Sequence, residues 1–216
     1  TRRQRQMCIR DRQAGLVQFA WFAAYGLLSI PGGNLIARIG YQRGILVGLA
    51  TAGLGCLLFY PAAATRMYPL FLLALFVVAG GITILQVAAN PYISVLGPEE
   101  SASARLNLAQ AFNSFGTTLA PVVAASFLLG DQILSSDAIR ALSDADRLSY
   151  YANEASAVQV PFVMLALAFF ALAGVVGAIT LPKILGGDSQ TTTTYGQVLQ
   201  NRKLLFGALG IFVYVG

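Results

Sequence analysis

Long uncharged, apolar runs separated by short clusters of charge dominate this chain. A hydrocarbon core of about 30 Å takes about 20 helical residues to cross. Five runs reach that length: Ala14 to Ala37, Gly44 to Thr65, Met67 to Pro98, Leu106 to Gly130 and Ala155 to Pro182. A sixth begins at Leu204 and is still apolar at Gly216. None of them alternates with a period of two, which excludes membrane strands, and they are too many and too long for a signal peptide. The pattern predicts an all-α fold, a polytopic transmembrane helical bundle, whose two ends are both expected to be cut short.

The polar positions inside the runs are periodic as well. Thr83, Gln86 and Asn90 in the third run are spaced i, i+3 and i+7, one helical face. Asn107, Gln110, Asn113 and Thr117 make a second stripe in the fourth, and Gln18, Tyr25 and Ser29 a third in the first. Polar side chains at bilayer depth face a cavity or another helix. An amide offers donors and an acceptor in one plane, as vicinal sugar hydroxyls require, whereas a hydrophobic drug needs no such ladder. Two amide stripes therefore suggest a polyhydroxylated solute, with Gln86, Asn90, Gln110 and Asn113 as the cluster and Asn107 and Trp21 as further members. Interhelical hydrogen bonding is the alternative for each amide. Trp21, Phe22, Tyr25, Tyr92 and Phe112 are candidates to stack on a pyranose ring, or else to pack against lipid and other helices. The small residues Ala79, Gly80, Gly81, Ala88, Ala89, Gly174 and Gly177 read as close-packing positions. Pro61, Pro91, Pro121 and Pro161 mark kinks or span ends, and a kink at Pro91 would tilt Gln86 and Asn90.

Composition supports the membrane reading: of 216 residues 56% are hydrophobic and only 11% charged, against roughly a quarter in a soluble domain. The absence of His removes imidazole bases and His-ligated zinc, and two Cys make neither a disulfide framework nor a Cys-only zinc site. No carboxylate lies inside a complete run, so no nucleophile and base pair is in view. No metal site and no resident cofactor are expected.

Where the charges lie matters more than their net value of +5, because five of the 14 basic residues fall in the first twelve positions. Without that segment 9 basic residues face 8 acidic ones, and no basic face is left for nucleic acid. Alternating connections put Arg38, Arg43, Arg105, Lys183, Arg202 and Lys203 on one side of the bilayer and Arg66, Arg140 and Arg147 on the other, which makes the first side cytoplasmic. The connection from Asp131 to Glu154, with five carboxylates, is expected to be a solvated outer loop holding a short amphipathic helix around Ser136 to Asn153. Residues 1–12, TRRQRQMCIRDR, would add five Arg to the outer face. They are therefore expected to be foreign sequence, of the kind adapter read-through gives, or a disordered basic tail.

Three stretches carry a family resemblance. They are LQVAANPYISVLGPE at 85–99, RLNLAQAFNSFGTTLAP at 105–121 and GGNLIARIGYQRG at 32–44. From Gln13 to Gly216 the chain resembles the fucose/glucose/galactose permease branch of the major facilitator superfamily. The resemblance implies a fold of twelve helices in two halves, of which 13–182 would supply five spans of the first half. Residues 183–203 would be the cytoplasmic linker and 204–216 the start of the first helix of the second half. Gly33, Arg38 and Gly40 match the superfamily's gating loop, although Ala37 stands where an Asp is usual. In the fucose/proton members the position matching Gln86 is a Glu that takes part in proton coupling and sugar binding. Gln here keeps a sugar hydrogen bond and loses the proton. Asn113 matches a family Asn implicated in sugar binding.

The function expected is import of a hexose with co-transported H⁺ or Na⁺ by alternating access, in the bacterial inner membrane, by a protein that is not an enzyme. A drug or other small-solute exporter of the same fold and a non-transporting sugar sensor are the alternatives.

Overall fold

A computed structural model describes residues 2–65, 67–128, 142–179 and 181–182, together with 196, 200, 202, 203, 205–207 and 210. The described helices are α1 (Arg2–Ile39), α2 (Tyr41–Thr65), α3 (Tyr68–Val95), α4 (Ala102–Leu128) and α5 (Asp144–Ala178), with a 3-10 turn at Glu99–Ser101. At ~1.5 Å per residue the 25 residues of α2 are about 38 Å long, enough to cross a bilayer.

Each boundary has a local cause. Gly40 alone separates α1 from α2, at φ 84, a left-handed conformation that a Cβ disfavours. Its amide donates to Ile36 O at 2.8 Å, and Gly44 N donates back to Gly40 O at 3.0 Å, so backbone bonding is continuous across the bend. Pro69 sits in the first turn of α3, where a missing N–H costs nothing. Leu96 ends that helix, and Pro98 caps the turn that follows. Ser143 caps α5 by accepting from Asp146 N at 3.2 Å.

The packing centres on α2 and α3. These helices lie antiparallel with backbones in contact, because glycine stands on both sides of the seam. A Cβ at Gly48 would come within 2.8 Å of Leu85 N, and one at Gly55 within 2.6 Å of Val78 N. A Cβ at Gly81 would strike Ala52 N. The face i, i+4, i+7 of one helix thus fits the same kind of face on the other, as small residues allow in membranes. On a second face of α3, Gly80 lies under Leu28 and Ile84 against Gly32, so α1 runs parallel to α3.

α5 lies antiparallel along the other side of α2. At one end Gln42 Nε2 donates to Val176 O at 3.0 Å and Ile179 O at 2.7 Å, taking up carbonyls that the end of α5 leaves open. At the other, Gln159 Nε2 donates to Tyr60 O at 3.4 Å. Between them Cys56, Phe59, Ala74, Val78 and Ala166 form the core cluster, and Phe59 stacks on Phe162 with ring centroids 4.0 Å apart.

The apolar run from Leu106 forms the 27-residue helix α4, yet α4 is not among the four described helices that are long and apolar enough to span: Gly15–Ile39, Tyr41–Thr65, Tyr68–Val95 and Gln159–Ala178. Its amides and hydroxyls lower its hydropathy. The described part of the expected amphipathic helix, from Asp144 onward, is no separate element but the opening turns of α5. The described backbone of residues 2–12 is helical and continues into the first span without a break. Residues 129–141, 183–195 and most of the sixth run lie outside the described residues.

The α2–α3 seam generates a prediction for stability. Gly55→Val puts a branched side chain where backbone stands, so it should destabilise the protein by about 1–3 kcal/mol. Gly174→Ala, on an open surface with nothing within 4 Å, should not. Thermal denaturation in detergent checks this, and equal melting temperatures would refute the close seam.

Candidate functional site

Once one face of α3 packs on α2 and another on α1, a third strip carries Gln86 and Asn90, and both are exposed. Thr83 belongs to the same stripe in the sequence, but the structure separates it. It is 1% exposed, and its Oγ1 donates to Ala79 O one turn back at 2.7 Å, a bond internal to its own helix. Of that stripe, the amide pair alone stays on the surface of α3.

Gln86 has a neighbour across the α1–α3 contact: its side chain lies beside the Tyr25 hydroxyl. Tyr25 in turn lies against Trp21, with ring centroids 6.1 Å apart at 41°. Trp21 is half-buried and also packs against the core cluster. Tyr25 was visible in the sequence as part of the α1 stripe. That it reaches Gln86 was not, because spacing within one helix says nothing of the register between two.

On α4, Asn107, Gln110 and Asn113 are all exposed, and Phe112 beside them is 70% exposed. The stripe's lower hydroxyl is used locally: Thr117 Oγ1 donates to Ser114 O at 2.9 Å and to Asn113 O at 3.2 Å. α4 touches α3 far less extensively than α2 does. What ties the two is Arg105. Its Nε donates to Ile93 O at 3.0 Å and its Nη2 to Ser94 O at 2.7 Å. Its Nη1 donates to Pro98 O at 3.1 Å and to Ser101 Oγ at 2.6 Å. Spacing singled out the amides and read Arg105 only as a topological charge.

Tyr92 differs from its sequence reading as a possible stacking ring. It is 6% exposed, with its ring 5.8 Å from that of Tyr41, so it packs within the bundle. The gating-loop residues also redistribute. Gly33 lies inside α1, near Val87 of α3, and Arg38 is exposed in the last turn of α1. Only Gly40 forms the connection itself. Arg38, Arg43 and Arg105 do gather at one end of the bundle, where Gln42 meets the end of α5 and Arg105 the end of α3. Among the described residues no group of three or more Cys, Asp or Glu is placed to hold a metal.

The arrangement combines parallel and antiparallel apolar helices, basic residues at one end and uncharged amides along exposed strips. The family model of the Major Facilitator Superfamily matches residues 4–216, and the chain belongs to that superfamily. It is a multi-pass membrane protein. Over 206 residues it is 50% identical to a glucose/galactose transporter of Brucella abortus biovar 1 (strain 9-941), covering 94% of this chain and 46% of that protein. Over 221 residues it is 35% identical to an L-fucose-proton symporter of Escherichia coli (strain K12), covering 99% of this chain and 50% of that protein. The crystal structure of the E. coli fucose:proton symporter superposes with a TM-score of 0.76 at 36% identity, over 87% of this chain and 46% of that one. The chain thus spans about half the length of the relatives it matches.

Exposed amides on a membrane helix face either water or lipid, and thiol labelling separates the two. In a full-length protein with its native cysteines replaced by Ser, Asn90→Cys and Asn113→Cys should react with a charged maleimide within minutes, and Thr83→Cys should not. Labelling of Thr83→Cys alone would contradict the placement of all three.

Proposed function

We propose that the full-length protein is a secondary active sugar transporter of the bacterial inner membrane, importing a hexose together with H⁺ or Na⁺ by alternating access. The observation that carries this reading is the exposed amide set, Gln86 and Asn90 on α3 with Asn107, Gln110 and Asn113 on α4, in a chain half-identical to a glucose/galactose transporter. Each amide presents a donor pair and an acceptor, the complement of neighbouring sugar hydroxyls. Tyr25 stands beside the Gln86 amide, with Trp21 against its ring. Phe112, at the margin of the α4 amides, supplies a face for the pyranose ring.

Gln86 has no titratable proton, so proton coupling at this position is replaced by neutral hydrogen bonding. A coupling H⁺ must be carried by another residue of the full protein. A coupling Na⁺ would suit amide and backbone oxygens as hard ligands. No chemical step on the sugar is involved; the protein's part is to bind it and to exchange the side from which the site is open. Gly40 takes part in that exchange as the bend between α1 and α2, with Arg38 in the last turn before it and Gly33 further back along α1.

Uptake of labelled glucose, galactose and fucose by the full-length gene in transport-deficient cells tests this, with Na⁺ present and absent. Gln86→Ala and Asn113→Ala should each raise KM by about tenfold or more, the loss of roughly one desolvated hydrogen bond. Tyr25→Phe should raise it about threefold, since the amide stays and only the neighbouring hydroxyl goes. Saturable uptake that needs Na⁺ identifies the coupling ion. Absence of uptake of every hexose by well-expressed protein would refute the reading.

A further inference from the structure

Two amide strips make one site only if the helices that carry them keep a fixed relation, and packing does not supply it here, since α4 lies against α3 over a small area. Most of α4 from Asn107 to Val123 is exposed. At the junction, by contrast, a single half-buried side chain of α4 bonds to three carbonyls and one hydroxyl. Ile93 O and Ser94 O belong to the last turn of α3, where carbonyls have no partner within the helix, and Pro98 O and Ser101 Oγ belong to the turn between the helices. A guanidinium has five donors in a rigid plane, so bonding through Nε, Nη1 and Nη2 together fixes its plane against both elements.

Gly97 shows how closely the fork is held. A Cβ there would lie 2.9 Å from Arg105 Nη1 and 3.3 Å from Cζ, so any larger residue displaces the guanidinium. Gly97 is not needed for a left-handed backbone, because no positive φ occurs at this position. It keeps room for the fork.

We propose that Arg105 is a positioning residue for solute binding: by clamping the start of α4 to the end of α3, it sets the direction in which Gln110 and Asn113 face Gln86 and Asn90. The proposal rests on the transport reading above. Arg105 itself touches no solute. Gln110 and Asn113 stand five and eight residues along α4, about 7.5 and 12 Å from the clamp at ~1.5 Å per residue. A tilt of about 10° around the clamp therefore moves Asn113 by about 2 Å, more than a hydrogen-bonding site tolerates.

The test uses the full-length protein in two independent variants. Arg105→Lys keeps the charge and loses the fork, and Gly97→Ala keeps Arg105 and crowds it. Spin labels at the exposed positions Leu73 of α3 and Val122 of α4 report the far end of the lever, and labels at Leu54 of α2 and Leu73 serve as control. Both variants should broaden or shift the 73–122 distance distribution and leave 54–73 unchanged. Both should raise KM for hexose about tenfold with kcat within about threefold, the signature of lost binding geometry. An unchanged 73–122 distribution in both variants would overturn the proposal, as would restoration of wild-type KM by Lys, which would reduce Arg105 to a charge. If wild-type protein takes up no hexose, the transport reading fails separately, and the distance measurement still decides whether the clamp sets α4.

Discussion

Everything in this bundle depends on how closely α2 and α3 approach. Side chains are absent from the seam at Gly48, Gly55 and Gly81, so backbone meets backbone. In lipid there is little hydrophobic force to drive helices together, and close packing with many small dispersion contacts takes its place. That contact fixes the rotation of α3. With Gly81, Leu85 and Ala88 committed to one neighbour and Gly80, Ile84 and Val87 to the other, Gln86 and Asn90 are left on the remaining strip. A substitution at the seam would thus act on the amide face without touching it.

The second determinant is polar. One end of the bundle uses side chains that cap the carbonyls of another helix: Gln42 at the end of α5, and Arg105 at the end of α3. Helix ends carry unsatisfied carbonyls wherever they fall, and a donor that satisfies them also sets the angle at which the next element leaves. The tight packing is concentrated in α1, α2, α3 and α5, while α4 is held mainly at its start. The expected amide site spans that divide, with one strip on the packed part and the other on the loosely attached helix.

Much of the fold was legible because the bilayer imposes length and composition, both of which are local properties. Run lengths marked α2, α3 and the second half of α5, and the amide periodicity marked the faces of α3 and α4. Legibility failed where two elements meet. Thr83 shares its stripe with Gln86 but is turned into the bundle and satisfied by Ala79 O. Tyr92 has the look of a stacking ring and is buried against Tyr41. Gly33 reads as loop and is helix, because the bend needs only Gly40. Arg105 reads as one more basic residue near a span end, and nothing in its neighbours along the chain announces four acceptors gathered from two elements.

What the sequence determined by itself was the class: an all-α membrane bundle with neutral amides on two helical faces and no acid, base or metal cluster inside the spans. Desolvation in hydrocarbon makes that legible, since every charge must stay near an end and every backbone group must bond within its own helix. What only the tertiary structure decided was which polar side chains remain available. Whether a Gln, Thr or Tyr is spent on its own helix, on a neighbour or left exposed depends on the rotation and register of helices against one another. Those are fixed by contacts between residues far apart in the chain, such as Gly81 with Ala52, Tyr25 with Gln86 and Arg105 with Ile93.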